Sequence, residues 1–501
     1  MSEELRKALI HITTAGFQIS KDAFDLLSGL SKEDLPTFVI KAINRASLVP
    51  DEITIIDAAF LRQLKVEEAI ARPEAMITSK TMAPPPASEY DADVVVKSDP
   101  SQSLSSTGNM SGYVEYFRDR FRRTEQMFRR RMDSSNAVPI GDALKRPLKT
   151  KCSIVGMVTS KRSSSGKLFL EIEAPDGSIT ALVSDAELMR DARRVMLDQV
   201  VFVDVVKYSD ELWIADRLLF PDIPERQPNT SPVDLCCALV SDLHVGSKLF
   251  NESLFDRLMK WLRLETGNRA ERGLAARVKY LIVAGDLVDG IGIYPEQESE
   301  LSLTDVDAQY EVASQLLARI PEYVQVIIIP GNHDAVRKCL PQPGIPAHYL
   351  QSVSQTRPPL LVGDPSLVAL HGVDFLLSHG KSLDDVLTQL PGIGFKDTAE
   401  GMEHLLRARH LAPIYGMSTP IAPESRDWMV IDSPPDVMAM GHTHVYDFRK
   451  YKDTLIINPG TWQQQTAYQR RMNLTPVPGM CPVVDLQRLK VAPTDLKTLS
   501  G

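Results

Sequence analysis

Five apolar runs in the second half of the chain each end in polar residues of the kind that bind metal ions. Leu235 to Val240 runs into Ser241-Asp242-Leu243-His244, and Val278 to Val283 runs into Gly285-Asp286-Leu287-Val288-Asp289-Gly290. Val324 to Ile329 leads to Gly331-Asn332-His333-Asp334, Val373 to Leu377 to Ser378-His379-Gly380, and Val437 to Met440 to Gly441-His442-Thr443-His444. Five of the ten histidines lie in these clusters. A pair of divalent ions roughly 3.5–4 Å apart requires such an inventory: one carboxylate bridges, imidazoles and oxygens complete each shell, and positions stay open for substrate and water. Asp286 is the natural bridge. Asp242, His244, Asp286 and His444 are expected on one ion, and Asp286, Asn332, His379 and His442 on the other. Imidazole mixed with carboxylate suits Mn first, then Fe or Zn, ahead of Mg or Ca, and no cysteine stands near to make a structural zinc site.

Asp242 and His244 are two apart, as are His442 and His444, so an extended backbone would turn each pair to one side. His333 follows the ligand Asn332 and falls outside the metal set. It is expected to protonate a leaving alkoxide or steady a phosphoryl oxygen, with Asp334 orienting its ring. Asp289 and Asp334 are expected behind the ligands. Any one cluster alone is also what a hydrogen-bonded structural histidine produces. Five clusters in this order, each at the end of an apolar run, are poorly explained that way.

Such ends must be brought to one edge, and the alternation of apolar runs with helical stretches over residues 225–501 predicts a layered α/β domain that does so. Upstream, residues 148–224 read as short strands: Ser153 to Thr159, Leu168 to Glu173, Ser178 to Val183, Val200 to Val206 and Leu212 to Ala215. Asp176-Gly177 supplies a hairpin turn, and a helical interruption from Asp185 to Val195 follows the third strand, which predicts an OB-type barrel. Phe169, Trp213, Lys161, Arg162 and Lys167 are its candidates for single-stranded DNA, against a barrel used only for packing. Residues 112–147 hold a helix with Tyr113, Phe117, Phe121, Phe128 and Met132 on one face and seven arginines around it, either a solvated face or a DNA or partner contact. Residues 72–111, with Pro84-Pro85-Pro86 and many serines, read as a disordered linker in which Val94-Val95-Val96 is either a docking peptide or, as the plainer reading, an incidental triplet. Residues 1–71 read as a small helical domain, with breaks at Gly16, Gly29 and Pro50 and N-caps at Ser20 and Ser31. The fold class is thus multidomain α+β.

Composition narrows the function. Hydrophobic residues make up 43% and charged residues 24% of the 501, enough for several buried cores. The 56 basic and 65 acidic residues leave a net charge of -9, so any DNA contact is local. No run is apolar enough for a membrane span and the first residues do not form a signal peptide, which predicts a cytoplasmic protein. The five cysteines do not make a disulfide scaffold, and Cys236 and Cys237 read as buried thiols.

Over about Leu235 to Gly460, the series Asp-x-His, Gly-Asp, Gly-Asn-His-Asp, His-Gly and Gly-His-x-His resembles the calcineurin-like metallophosphoesterases. A closer resemblance lies in Gly285 to Pro295 with Gln297 and Leu301, and in His379-Gly380-Lys381-Ser382 running into Asp384-Asp385-Val386. These look like the small subunits of archaeal family D DNA polymerase, also called DNA polymerase II small subunits. The order of parts agrees over nearly the whole chain, the N-terminal domain and linker only in type. The resemblance implies a 3′→5′ exonuclease that removes mismatched primer ends with His333 in the chemistry. It also implies a large subunit that carries the polymerase site, substrates that are primer-template and single-stranded 3′ ends, and a sliding clamp or primase as further partners. Arg337, Lys338 and Lys381 beside the motifs are candidates for DNA, and Arg470 to Leu486 for the large subunit. In the related eukaryotic relatives of this subunit the metal ligands are lost, whereas none of the seven ligand positions is replaced here. The competing readings are a catalytically silent structural subunit and a stand-alone metallophosphoesterase.

Overall fold

Runs of Val, Ile and Leu with polar residues at their ends become central strands, and a computed structural model shows where each lies. It describes residues 3–28, 34–47, 55–61, 84–106 and 108–500. The chain falls into two compact units, residues 1–83 and 84–501. In the first, helices Glu3–Thr14, Lys21–Ser28 and Asp34–Ser47 gather Ile12, Leu27, Val39 and Ala42 into one core, beside a short parallel pairing of Gln18–Ile19 with Ile55–Ile56. Ser20 caps the second helix, its hydroxyl accepting from Ala23 N at 3.2 Å. The expected features at Gly29, Ser31 and Pro50, and residues 62–83, lie outside the described residues.

In the second unit the five strands Lys151–Ser164, Lys167–Ala174, Gly177–Val183, Val200–Lys207 and Trp213–Leu219 close into a barrel. The third pairs in parallel with the fifth, and the fourth closes on the first. Helix Ala186–Arg193 stands between the third and fourth strands, capped by Asp185. Trp213 is wholly buried among Ile154, Leu170 and Val203, so it packs the barrel and offers no face to a base.

Two six-stranded sheets form the rest. One holds Cys236–Val240, Val278–Ala284 and Gln325–Ile329 in parallel; the other holds Val373–Leu377 and Val437–Ala439, also parallel. Leu239, Ile282 and Ile327 from the first meet Phe375, Leu377 and Ile457 from the second in one core. Because side chains alternate across a strand, Ala238, Leu281 and Ile328 point the other way, onto Phe255, Trp261 and Tyr310 of the outer helices. Met438 and Ile456 likewise meet Met402 and Leu405 outside the second sheet. Layered this way, the five strands that precede the polar clusters deliver their carboxyl ends to one edge. Cys236 and Cys237 are buried free thiols; burial pushes the Cys236 thiol up to about 12.

Two expectations are corrected. Residues 86–98 are not a disordered linker: Pro86–Glu89 is a 3-10 turn, and Val94–Ser98 is the edge strand of the second sheet, antiparallel to Ser366–Leu370. The valine triplet is therefore a strand, held also by Lys97 against Asp374 at 2.5 Å and by Tyr280, whose hydroxyl accepts from Asp93 N at 2.8 Å. Helix Met110–Arg129 also buries a different face from the one its apolar residues suggest. Tyr116, Arg120, Thr124 and Phe128 point inward, while Met132 is 99% exposed beyond its end. Arg120 has its Nε on Asp427 at 2.8 Å and one terminal nitrogen on Pro413 O at 2.7 Å, while Arg123 binds Asp119 and Asp432. These arginines serve the interior.

Candidate metal centre

The clusters meet because their backbone turns back sharply. Asp242, His244, Asp286, His442 and His444 all have positive φ, between 49° and 71°. The extended backbone expected for the Asp-x-His and His-x-His pairs is therefore absent: each pair converges through left-handed residues, a conformation that side chains rarely adopt and that concentrates at functional sites. Hydrogen bonds between clusters hold the turns. Asp242 N donates to Gly285 O at 3.0 Å, His244 N to Asp286 O at 3.1 Å, Gly441 N to His379 O at 2.8 Å, and His333 N to Asp286 Oδ1 at 2.8 Å. Gly331 has no room for a side chain, since a Cβ there would run into the Asp286 carboxylate.

Three groups of ligand atoms result: Asp242, His244 and His444; His244, Asp286 and His333; and Asp286, His379 and His442. His244 Nε2 lies 3.0 Å from His444 Nε2, and His444 Nε2 lies 3.3 Å from Asp242 Oδ1. His379 Nε2 is 3.2 Å from Asp286 Oδ2 and 3.1 Å from Asn332 Oδ1, and His244 Nε2 is 3.8 Å from Asp286 Oδ2. Two donors each about 2.0–2.2 Å from a shared ion stand roughly 3–3.5 Å apart, so most of these spacings fit common ions. The other ring nitrogens are occupied. His379 Nδ1 donates to Ala284 O at 2.9 Å and His244 Nδ1 to Asp289 at 2.9 Å, which leaves each Nε2 facing the cluster.

Electrostatics points the same way. Asp242 and Asp286 are buried, yet both carboxyls are held well below the usual range: the histidines around them outweigh the cost of burial. Burial opposes charge on His244 and His379, but the Asp242 and Asp289 carboxylates raise His244 to about 10, and Asp286 does the same for His379. This concentration of negative charge calls for cations, and the donor set fits divalent metal.

His333 stands at the shared carboxylate, with Nε2 3.9 Å from Asp286 Oδ2 and its ring edge-on to His244 at 4.6 Å. Burial pulls it down to about 4 against the attraction of Asp286. Its orientation comes from Asp289, whose carbonyl accepts from Nδ1 at 2.7 Å. Asp334, expected to do this, instead accepts from Gly331 N at 2.8 Å and Tyr310 OH at 2.9 Å and so fixes the turn beneath; burial lifts it to about 6. The Asp289 carboxylate accepts from Gln463 at 3.0 Å and its carbonyl from Gln297 at 2.8 Å. Sequence reasoning missed Gln463 and Gln469, the latter 2.7 Å from His444 Nδ1, and also missed Asp384, 3.1 Å from His442 Nε2. Asp384 lies in a stretch already singled out by resemblance, and that was its only signal.

The basic candidates are mostly committed elsewhere. Lys161 donates to Val195 O at 2.8 Å and Arg193 O at 3.1 Å, and burial lowers its pKa, so it ties strand to helix. Arg162 lies over the Phe169 ring at 5.1 Å on the barrel surface and remains exposed. Lys381 pairs with Asp384 at 2.6 Å, Arg337 with the buried Glu424 at 2.8 Å, and Lys338 with Asn332 O at 2.7 Å. Val483–Asp485 is a packed strand between others, which removes that part of the surface suggested for a partner.

Residues 237–449 match the family model of the B-subunit of DNA polymerases alpha and epsilon. The DNA polymerase II small subunit of Archaeoglobus fulgidus is 34% identical over 472 residues, covering 93% of this chain and 92% of that one. This chain belongs to the DNA polymerase II small subunit family. The Pyrococcus horikoshii member is 36% identical over 404 residues, 79% of this chain, but this chain spans only 65% of that longer protein. Among solved structures, an archaeal phosphodiesterase covers 52% of this chain and is itself covered to 99%, at 13% identity and a TM-score of 0.28, too slight a likeness to carry any argument. No described helix is long and apolar enough to cross a membrane.

Proposed function

We propose that this small subunit is a metal-dependent 3′→5′ exodeoxyribonuclease that trims mismatched primer ends, in complex with a large subunit that carries the polymerase site. In this reading the layered domain is a calcineurin-like sandwich and the barrel an OB-fold. The observation that carries it is Asp286, shared by two of the ligand groups with His333 directly beside it. Asp242, His244, His444 and Asp286 would hold one divalent ion, and Asp286, Asn332, His379 and His442 a second, Mn before Fe or Zn. When bound, such a pair polarises a phosphoryl oxygen and makes water a better nucleophile at neutral pH. The chain supplies the rest. Asp289 and Ala284 O fix the tautomers of His244 and His379, and the sharp turns hold the ligand atoms in place before substrate arrives. His333, its Nδ1–H anchored on Asp289 O, presents the Nε2 lone pair, which would take a proton from solvent and pass it to the departing 3′ oxygen.

The test supplies Mn²⁺ and a 3′-mismatched primer-template to the full chain, alone and with its large subunit. Wild type should shorten the strand from the 3′ end, and His333→Ala should do so about 10²–10⁴-fold more slowly with fold and metal content retained. No cleavage by metal-loaded wild type would leave a structural subunit; equal cleavage by both proteins would remove His333 from the chemistry.

A further inference from the structure

Beside the ligand cluster stands an aromatic rim that neither the ligands nor His333 accounts for. The loop at 290–296 carries Tyr294, and the short helix Ala467–Arg471 carries Tyr468. The Tyr294 ring lies 6.3 Å from the His333 ring and 6.1 Å from the Tyr468 ring, and the two tyrosines are inclined by only 31°. Tyr468 is 45% exposed, and Ile291 in the same loop as Tyr294 and Met472 just after the short helix are exposed at 42% and 56%. Both tyrosines are fastened to the site. Tyr294 OH donates to Glu300 at 2.9 Å, the other Glu300 oxygen accepts from Ala467 N at 3.2 Å, and Gln469 of the same helix reaches His444. Arg470 and Arg471 face solvent on that helix, Arg471 only loosely paired with Glu296 at 4.0 Å.

We propose that Tyr294 and Tyr468 form a stacking platform for an unpaired nucleobase at the 3′ end of a strand, so that frayed ends are preferred over paired ones. This rests on the nuclease reading above. Aromatic faces accept every base, which suits an enzyme indifferent to sequence. The two rings, with centroids 6.1 Å apart and planes inclined by 31°, together present an aromatic surface against which a base can lie. Tyr294 stands 6.3 Å from His333, which puts a base on the platform within one nucleotide's reach of the ligand cluster. Arg470 and Arg471 supply charge for the strand's remaining phosphates. A paired terminal base keeps one face and its pairing edge engaged with the duplex, and it has to separate before it can enter.

The test separates binding from cleavage. The full chain in EDTA, where cleavage is suppressed, is titrated with a short oligonucleotide ending in 3′-terminal 2-aminopurine, whose fluorescence falls on stacking. Circular dichroism checks the fold of each variant. Wild type should quench it; Tyr468→Ala should bind about tenfold more weakly and lose the quench, and Tyr468→Phe should keep both, because the ring stacks and the hydroxyl does not. An oligonucleotide with an abasic 3′ residue should bind wild type and Tyr468→Ala alike. Equal affinity and quench in wild type and Tyr468→Ala overturns the platform even if the chain cleaves DNA. Quench lost in alanine and kept in phenylalanine supports it even if wild type never cleaves, and then only the nuclease reading falls. If Tyr468→Ala weakens association with a protein partner while the quench persists, the rim is a protein contact and the platform is overturned.

Discussion

At the scale of single residues, His404 shows how burial writes pH dependence into the fold. It is 1% exposed on helix Thr398–Ala408, and its Nε2 has no hydrogen-bond partner. Burial, then the guanidiniums of Arg407, Arg194 and Arg449, hold its pKa down to about 3. Glu400 and Glu403, which face the same region, are taken by Arg194 at 2.6 Å and Arg449 at 2.7 Å. The unfolded value is near 6.5, so as pH falls the unfolded chain takes the proton first. The stability tied to the neutral ring is complete above about pH 6.5 and is lost progressively toward pH 3. His404→Leu should therefore lose less stability than wild type on acidification, by up to roughly 3 kcal/mol at pH 4. Urea midpoints across that range measure it, and parallel curves for the two proteins would count against the account. Residue types and their order were legible wherever chemistry sits at the end of an apolar run, as with Asp286 or His379. The left-handed backbone at Asp242, His244, Asp286, His442 and His444 was not legible, because nothing in the one-dimensional pattern distinguishes an extended Asp-x-His from one that turns back. Gln463 was equally hidden: it lies 174 residues from Asp289, the carboxylate it supports.

At the scale of the element, helix Met110–Arg129 acts as a bolt. Phe128 packs on Phe202 of the barrel, while Arg120 enters the layered part and meets Asp427, which also accepts from His410 at 2.8 Å. Both members of the Arg120–Asp427 pair are at most 1% exposed. Removing one partner leaves a buried charge unpaired, so Arg120→Met should cost about 3–5 kcal/mol, and adding Asp427→Asn should restore part of it. Chemical unfolding of the single and double variants measures this; a cost under about 1 kcal/mol for Arg120→Met would mean that the pair is not a fastening. The helix itself was legible, but its inward face was not. The spacing Tyr116, Arg120, Thr124, Phe128 was present in the sequence, yet an arginine is almost never fully buried unless paired, and its partner stands 307 residues away. Val94–Ser98 was misread for a related reason: a short strand among serines and prolines gains its stability from Ser366–Leu370, a neighbour that composition cannot reveal.

At the scale of the molecule, metal and fold should be linked in one unit and not in the other. Residues 84–501 place two carboxylates and five imidazoles within a few ångströms of each other, largely away from solvent, and hold five of the ligand residues in left-handed backbone. Without a cation, that crowding of negative charge is offset only by protonated histidines. A divalent ion that took the place of those protons would bind only the folded form and so would stabilise it by an amount that grows with the logarithm of its concentration, about 2.7 kcal/mol at a hundredfold excess over its dissociation constant. Residues 1–83 contribute none of these ligands and form a compact unit of their own around Ile12, Leu27 and Ala42. Calorimetry of the full chain should therefore show two transitions. Chelation should lower the larger one and Mn²⁺ should raise it in proportion to log concentration, while the smaller transition stays where it is. If both move together, the units unfold as one; if neither moves, the carboxylates are balanced by histidine protons alone and the clusters do not hold an ion tightly enough for catalysis.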